Sequence, residues 1–209
     1  MKWIYRIGSI MLLGIKLQFY FMIKTLMGGI IFGIFPAYFG VFKIINTCIN
    51  ERDYDHVYIF NELKKFDKQE FIKMNKIGYL FAIAIYLLVL NIDISRNFVH
   101  IRVLHWFILF ILLLVISIFL YVTALFTKYD LPIKQYLIQG FLCSIIGILE
   151  TIAIALGFSI AFGIAYVVPF LAVFLGIPMF MFAHAWFSRH TIARLENRFY
   201  KVKEEMETS

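Results

Sequence analysis

The chain has 209 residues, of which 62% are hydrophobic and 16% are charged, and its formal net charge is +7. Soluble domains contain about 45–50% apolar and about 25% charged residues, so this composition excludes a soluble globular protein. The basic residues flank apolar stretches, where positive charge sets membrane orientation and contacts anionic headgroups, so we expect a lipid bilayer and no nucleic acid as partner.

The N-terminal part of the chain predicts an interfacial helix followed by a bent hairpin. Residues 1–15 combine apolar and basic side chains at helical spacing, as in a retained helix that lies in the headgroup layer. The apolar stretch 17–35 is long enough to span a membrane, and Pro36 predicts a bend after it. Residues 37–49 reach only about 20 Å as a helix, so they form either a second span or a half-crossing packed inside the protein. We therefore predict a hairpin over 17–49.

Residues 50–76 form the longest polar segment and predict amphipathic cytoplasmic helices. Within this segment Phe60, Leu63 and Phe66 recur at helical spacing between charged residues. Such an apolar stripe is typical of a helix anchored at the membrane surface. The alternative is a docking surface for another protein, and the sequence leaves both open.

The rest of the chain predicts four more membrane spans and a polar end. Pro169 and Pro178 predict kinks in the last span, and His184 beside Trp186 predicts the membrane interface. The charged residues 188–209 predict a cytoplasmic tail. The whole chain, 1–209, is thus expected to be one all-α domain, a polytopic helical membrane protein with five to six transmembrane helices. The four spans are 77–94, 103–126, 136–156 and 159–187.

The distribution of Lys and Arg predicts the orientation. Segments 50–76 and 188–209 are rich in both residues, whereas Arg96 and Arg102 stand alone between the spans 77–94 and 103–126. Because basic residues accumulate on the cytoplasmic side, the polar segment and the C-terminus are predicted to be cytoplasmic, with either five or six spans.

Lys24 and Glu150 are ionisable residues inside predicted spans. Such residues are costly in hydrocarbon and therefore suggest function. The favoured interpretation is structural: the two side chains pair with each other, or Lys24 extends along its stem to the headgroups. The alternative is that they handle an ion or a proton.

Other motifs give no positive sign of catalysis. Cys48 and Cys143 have no CxxC or histidine neighbours, and no HExxH, GxSxG or phosphate-binding loop occurs. We therefore predict no enzyme activity, no metal and no cofactor. Gly29 and Gly33 form a GxxxG pattern, which predicts close helix packing.

Two stretches carry a family resemblance. Residues 28–37 read GGIIFGIFPA and residues 70–78 read EFIKMNKIG. With the apolar helix and Phe-containing polar loop between them, they resemble the YesL-like family of bacterial membrane proteins, best over residues 15–80. The chain departs from the family pattern at residues 17–20, which read LQFY where the family has a Leu-Asn-Leu-Leu-Trp run, and at Lys24. The resemblance implies a bacterial cell-membrane protein of uncharacterised activity that acts as an accessory component of oligosaccharide uptake. It transfers no catalytic residue.

These observations lead to two main hypotheses. The first is a non-catalytic accessory or scaffold protein that packs against permease subunits of a carbohydrate ATP-binding-cassette (ABC) importer. It uses Gly29, Gly33 and Pro36 for the bent hairpin, and Phe60, Leu63 and Phe66 for docking. The second is an autonomous small-solute transporter or channel with Lys24 and Glu150 along its path, against which stands the lack of an obvious internal repeat. A membrane-embedded enzyme ranks third. The sugar, the partner and the oligomeric state stay open.

Overall fold

The computed structural model describes the backbone of residues 2–51, 67–99 and 101–208, and the side chains of residues 8–51, 67–97 and 101–197. Within these ranges the chain forms seven α-helices and no strands, which confirms the predicted all-α architecture. Helices suit this composition because, in lipid, each backbone N–H and C=O must find its partner within the same segment. The helices are α1 (Lys2–Met27), α2 (Ile34–Glu51), α3 (Lys68–Ile94), α4 (Arg102–Phe126), α5 (Ile133–Ile146), α6 (Ile148–Val167) and α7 (Pro169–Thr208).

The first hairpin turns earlier than predicted. α1 runs without a break from the predicted interfacial segment 1–15 into the predicted span 17–35, where it ends at Met27, and the chain then reverses over residues 28–33. Gly29 has a φ of 72° there, a conformation that glycine adopts at little cost. Gly33 lies against the backbone of Thr25, with no room for a Cβ atom. Gly29 and Gly33 therefore lie in the turn of the hairpin, and the close approach predicted from the GxxxG pattern is that of Gly33 to the backbone of Thr25, not one between two helix faces.

The chain reverses over residues 28–33, a few residues before Pro36, and Pro36 starts the new helix as predicted. Pro36 is the third residue of α2, within its first turn. Backbone N–H groups have no intrahelical acceptor in this turn, so proline is tolerated there and favours the start of a helix instead of breaking one.

The second hairpin is formed by α3 and α4. α3 starts nine residues before the predicted span because Asp67 caps its N-terminus: the Asp67 carboxylate accepts hydrogen bonds from the backbone N–H groups of Gln69 (2.8 Å) and Glu70 (3.5 Å). A π-helical turn, Ser95–Val99, follows α3. The docking residues Phe60, Leu63 and Phe66 lie outside the described residues.

The C-terminal apolar region breaks at places other than those predicted. The predicted spans 136–156 and 159–187 are interrupted at Gly147 and at Val168, which gives α5, α6 and α7. Pro169 begins α7 and does not kink a longer helix, in keeping with the preference of proline for the first helical position. α7 also continues as a helix through the predicted tail, up to Thr208.

Five helical segments of the described chain are long and apolar enough to cross a membrane, which confirms a polytopic membrane protein. α2 is not among them, since Lys43, Asn46 and Asn50 make its second half polar. Instead, α2 is central: Ala37, Phe39, Val41, Phe42 and Ile45 are all essentially inaccessible. The five segments are Gly8–Met27, Lys68–Asn97, Arg102–Phe126, Ile148–Val167 and Pro169–Asn197.

One end of the bundle, here called the ion-paired end, carries three salt bridges among the described residues, which join helices to one another or to the α4–α5 connection. They are Lys43–Glu70 (3.3 Å), Lys73–Asp130 (2.5 Å) and Lys128–Glu196 (2.6 Å). These pairs bring α2, α3, the α4–α5 connection and α7 together at the same level. Of the basic residues that the sequence assigns to one side of the membrane, Lys43, Lys73 and Lys128 therefore lie at one end of the protein.

The opposite end, here called the open end, is much less packed. On α3 the buried residues lie between Met74 and Phe81, and on α4 they lie between Ser117 and Leu125. The rest of these two helices, towards the turn at Ser95–Val99, is mostly exposed and apolar. The buried core is thus concentrated towards the ion-paired end.

Candidate functional site

The candidate site is a buried polar cluster at the break between α5 and α6. Gly147 ends α5 and starts α6, and its carbonyl accepts the backbone N–H of Thr151 at 2.8 Å. A Cβ atom at this position would collide with the Tyr121 hydroxyl and the Thr191 side chain. Only glycine fits here, so the break follows from packing against α4 and α7. Irregular backbone at membrane depth is tolerated where protein covers it.

Tyr121 is the centre of the cluster. Its side chain is fully buried, and its hydroxyl donates a hydrogen bond of 2.8 Å to the Gly147 carbonyl. The same hydroxyl oxygen lies 3.1 Å from Thr151 Oγ1 and 3.2 Å from Thr191 Oγ1. One side chain of α4 thereby satisfies the backbone at the helix break and connects it to α6 and α7.

Two serines extend the cluster to α5. Ser144 Oγ donates to Ser117 Oγ at 2.7 Å, and Ser117 Oγ lies 3.3 Å from Thr151 Oγ1. Four helices, α4 to α7, are therefore joined by hydroxyl contacts inside an apolar bundle. In such surroundings, polar side chains that satisfy one another fix helix positions.

Glu150 directly precedes Thr151 of this cluster and pairs with Arg194. Arg194 Nη2 donates to Glu150 Oε1 at 2.5 Å, and the carboxylate sits in the first turn of α6, where the helix dipole favours a negative charge. Glu150 is 8% exposed, and its second oxygen, Oε2, has no hydrogen-bond partner. The Lys24–Glu150 pair considered from the sequence is thus replaced by an α6–α7 pair.

Lys24 lies elsewhere, beside a cavity of about 100 Å³ between α1, α2 and α3. The cavity is also lined by Pro36 of the predicted bend and by Lys43, Asp67 and Glu70. Lys43 pairs with Glu70 at 3.3 Å, so this region belongs to the ion-paired end. Lys24 and Glu150 therefore occupy different parts of the protein.

His184 is fully buried and therefore does not face lipid, whereas the neighbouring Trp186 is half-exposed. The Nε2 atom of His184 donates to the Leu120 carbonyl of α4 at 2.9 Å, since a carbonyl oxygen only accepts. The other ring nitrogen, Nδ1, has no partner. No group of three or more His, Cys, Asp or Glu side chains with the arrangement of a metal site occurs among the described residues.

The stretch at 70–78 that carries the family resemblance has packing roles. Gly78 lies directly against the Phe35 ring of α2, with no room for a Cβ atom. Lys73 pairs with Asp130, and its ammonium lies 5.8 Å and 5.3 Å from the ring centres of Phe126 and Tyr136. These residues attach α3 to α2, α4 and α5.

Sequence reasoning missed Arg194 and the hydroxyl cluster. Arg194 was assigned to a polar tail, whereas α7 continues through it as one helix. The sequence signal for the cluster was the presence of hydroxyl residues within apolar spans, since buried hydroxyl groups require hydrogen-bond partners. Their partners lie up to 70 positions away in the sequence, as with Tyr121 and Thr191, so the network could not be assembled from spacing alone.

Comparisons with known proteins identify the family to which the N-terminal part is similar. Residues 15–92 match the family described as "Protein of unknown function, DUF624". A curated relative, "Uncharacterized protein YesV" of Bacillus subtilis (strain 168), is 31% identical over 122 residues, which cover 56% of this chain and 57% of that protein. The match thus spans little more than half the relative's length. No solved structure matches. The predicted resemblance to the YesL-like family is confirmed.

Proposed function

We propose that this protein is a non-catalytic accessory or scaffold subunit that packs against another membrane protein through its open end. The single observation that carries the proposal is the one-sided burial of α3 and α4. Their halves near the ion-paired end are packed into the core, whereas their outer halves are mostly exposed and apolar. A hairpin of this kind offers two apolar helices to whatever lies beside it in the membrane.

The exposed face of α4 has the composition of a contact surface. Val103, Trp106, Phe110 and Leu113 follow one another at helical spacing and are 60–79% exposed. We call these four residues the α4 stripe. Aromatic side chains are enriched at the centres of protein interfaces, where they bury large areas at low conformational cost. The α4 stripe is therefore the proposed docking surface.

The polar contacts of the bundle support a scaffold. Glu150 pairs with Arg194, and the hydroxyl cluster connects α4, α5, α6 and α7. The three salt bridges of the ion-paired end join helices in the same way. These polar contacts between helices hold the half of the bundle at the ion-paired end in one arrangement, as expected of a rigid scaffold that binds a partner.

The identity of the partner rests on the family resemblance. It implies an association with oligosaccharide uptake, so we propose permease subunits of a carbohydrate ABC importer as partners. The proposed location is the bacterial cell membrane, with the ion-paired end and the C-terminus in the cytoplasm, because basic residues accumulate on that side.

Co-purification from native membranes in a mild detergent tests this proposal. We expect importer subunits to accompany the chain, and the double substitution Trp106→Ala with Phe110→Ala to reduce their recovery at least about tenfold, as expected for aromatic anchor residues. The matched control is Leu149→Ala with Ile152→Ala, two exposed apolar residues of α6 outside the stripe. Recovery of the chain alone, while the importer subunits are expressed, would overturn the proposal.

A small-solute transporter is the alternative, and the helix break at Gly147 favours it. Discontinuous helices at membrane depth form the substrate sites of many transporters, and Glu150 Oε2 is buried without a partner one turn away. A solute path lined by both Lys24 and Glu150 is disfavoured, because Lys24 lies beside a separate cavity. Solute flux into liposomes that contain only this protein, if abolished by Glu150→Gln, would establish the alternative. We propose no enzyme activity.

A further inference from the structure

The contacts between α2 and α3 show how far the first hairpin reaches along the bundle. At the ion-paired end, Lys43 of α2 pairs with Glu70 of α3 at 3.3 Å. Eight residues before Lys43, Phe35 packs against Gly78, which lies eight residues after Glu70. The two helices are therefore antiparallel and in register over about 12 Å. Because α2 begins at Ile34, its N-terminal end lies level with Gly78.

The turn over residues 28–33 ends at the same level on α3. The Tyr79 hydroxyl donates a hydrogen bond of 2.8 Å to the Ile31 carbonyl, and the Phe32 and Tyr79 rings meet edge to face with centres 6.0 Å apart. Beyond Phe81, no residue of α3 is buried, and all of α3 lies within the described chain. The hairpin therefore covers only the first part of α3, and about 27 Å of this membrane segment extends past the turn.

Charged residues on α3 place this turn just inside the membrane. Lys73 and Lys76 lie one to two helical turns before Tyr79, and the next charged residue of α3 is Asp93. The uncharged stretch between Lys76 and Asp93 is about 24 Å long, close to the thickness of the hydrocarbon core, so it marks the part of α3 inside the lipid. Tyr79 lies about 5 Å along the helix from Lys76. The turn that Tyr79 contacts therefore lies near the ion-paired end of this stretch, far from the opposite surface.

The turn has the properties of irregular backbone that lies in lipid. Three consecutive side chains at its tip, Ile30, Ile31 and Phe32, are apolar and 57–63% exposed. Backbone groups around them pair within the protein: the Ile30 N–H donates to the Thr25 carbonyl at 2.9 Å, and the Ile34 N–H donates to the Ile30 carbonyl at 3.1 Å. The Ile31 carbonyl accepts the hydrogen bond from α3. In water, solvent satisfies such groups, whereas in hydrocarbon each of them needs a partner in the protein.

We propose that the α1–α2 turn is inserted in the leaflet at the ion-paired end, where acyl chains cover the side chains of residues 30–32, and that α2 does not cross the membrane. The same placement accounts for Lys24, which precedes the turn by about one helical turn. Its cavity is also lined by Asp67 and Glu70 of the ion-paired end, so its charge stays near that surface. This proposal does not depend on the scaffold function.

Spin labels measure the depth of the turn, with α3 as an internal ruler. A nitroxide is attached to Ile31→Cys in the full chain in nanodiscs, and its depth is calculated from collision rates with oxygen, which concentrates in lipid, and with a nickel chelate, which stays in water. We expect the depth at residue 31 to match that at residue 80 within about 5 Å, one helical turn. The ruler consists of single labels at four exposed positions of α3: Ile72→Cys, Leu80→Cys, Leu87→Cys and Ile94→Cys.

A distance identifies the leaflet, because mirror-related positions in the two leaflets have the same depth. Double electron–electron resonance measures the distance between labels at Ile31→Cys and Asn97→Cys, the latter at the far end of the membrane segment of α3. We expect about 25–30 Å, close to the helix length from Tyr79 to Asn97. The matched control is the pair Leu80→Cys with Asn97→Cys, for which we expect a similar distance.

Two results would overturn the proposal. The first is a depth at residue 31 closer to that of Ile72, Leu87 or Ile94 than to that of Leu80, which would place the turn at the near surface, in the middle of the membrane or at the opposite surface. The second is a distance to residue 97 more than about 10 Å shorter than that of the control pair, which would place the turn in the opposite leaflet.

Two controls keep these results interpretable. The unsubstituted chain, whose Cys48 and Cys143 are both buried, gives the background labelling. Phe32→Cys provides a second label in the same turn, so the conclusion does not rest on one variant, and thermal unfolding in detergent checks that each labelled chain is folded.

Discussion

The ion-paired end and the open end of this bundle differ in how closely their helices pack. At the ion-paired end, helices are connected by salt bridges, by the hydroxyl cluster and by close contacts at Gly78 and Gly147. At the open end, Gly163 and Gly176 have no atom within 4 Å of a Cβ position, and large apolar side chains are exposed. Helices lack a hydrophobic drive to associate in lipid, so polar ties and small residues decide which half is packed.

Of the substitutions considered, Gly→Ala is expected to change the free energy of unfolding most differently at the two ends. Gly78→Ala forces a Cβ atom into the Phe35 ring and is expected to cost about 2–3 kcal/mol through overpacking. Gly163→Ala meets nothing and is expected to stabilise α6 by about 0.5–1 kcal/mol, because alanine favours helix more than glycine does. The apparent free energy of unfolding, from titration with a denaturing detergent, measures both. Effects of the same sign would contradict the comparison.

A smaller difference is expected from removing one hydroxyl. Tyr121→Phe keeps the ring but leaves the Gly147 carbonyl and Thr191 without the tyrosine hydroxyl, and is expected to cost about 1–2 kcal/mol. The control is Tyr166→Phe at the open end, where the side chain is 81% exposed and no change is expected. The same detergent titration compares the two. An unchanged free energy of unfolding in Tyr121→Phe would show that the hydroxyl cluster does not stabilise the bundle.

The smallest difference is expected from a surface ion pair. Lys73→Met removes the pair with Asp130 and the ammonium near the Tyr136 ring, and is expected to cost about 0.5–1 kcal/mol. Lys76→Met, on the same helix, is expected to change stability little. Because exposed pairs are screened by salt, the Lys73 effect should shrink as ionic strength rises. An effect that is independent of salt would point to lost packing of the lysine stem.

The fold class follows from composition, and the helix breaks do not. Long apolar stretches require membrane helices whatever their partners, so the all-α architecture was predictable. Pro36 disfavours helix before it and suits the start of a new one, and it does lie in the first turn of α2, but the reversal itself comes earlier, where Gly28 and Gly29 were the better signal. The break at Gly147 depends on Tyr121 and Thr191, which are distant in sequence.

The candidate site was predictable only in part. Glu150 stood out as an ionisable residue in an apolar span, and the structure places it in the first turn of a helix. Its partner, Arg194, was hidden in a segment that looked like a tail. Lys24 stood out equally, but it lies beside a different cavity. Pairing is a tertiary property, and the sequence alone gave no distance to show that Lys24 is too far from Glu150 and Arg194 close enough.

Photocrosslinking in native membranes tests most directly whether the open end docks to another protein. A photoreactive phenylalanine analogue is placed at Trp106 of the α4 stripe and, as the control, at Leu149 of α6, which is also well exposed. The account predicts adducts with importer permease subunits from position 106, and adducts with lipid alone from position 149. Lipid adducts alone from both positions would contradict it.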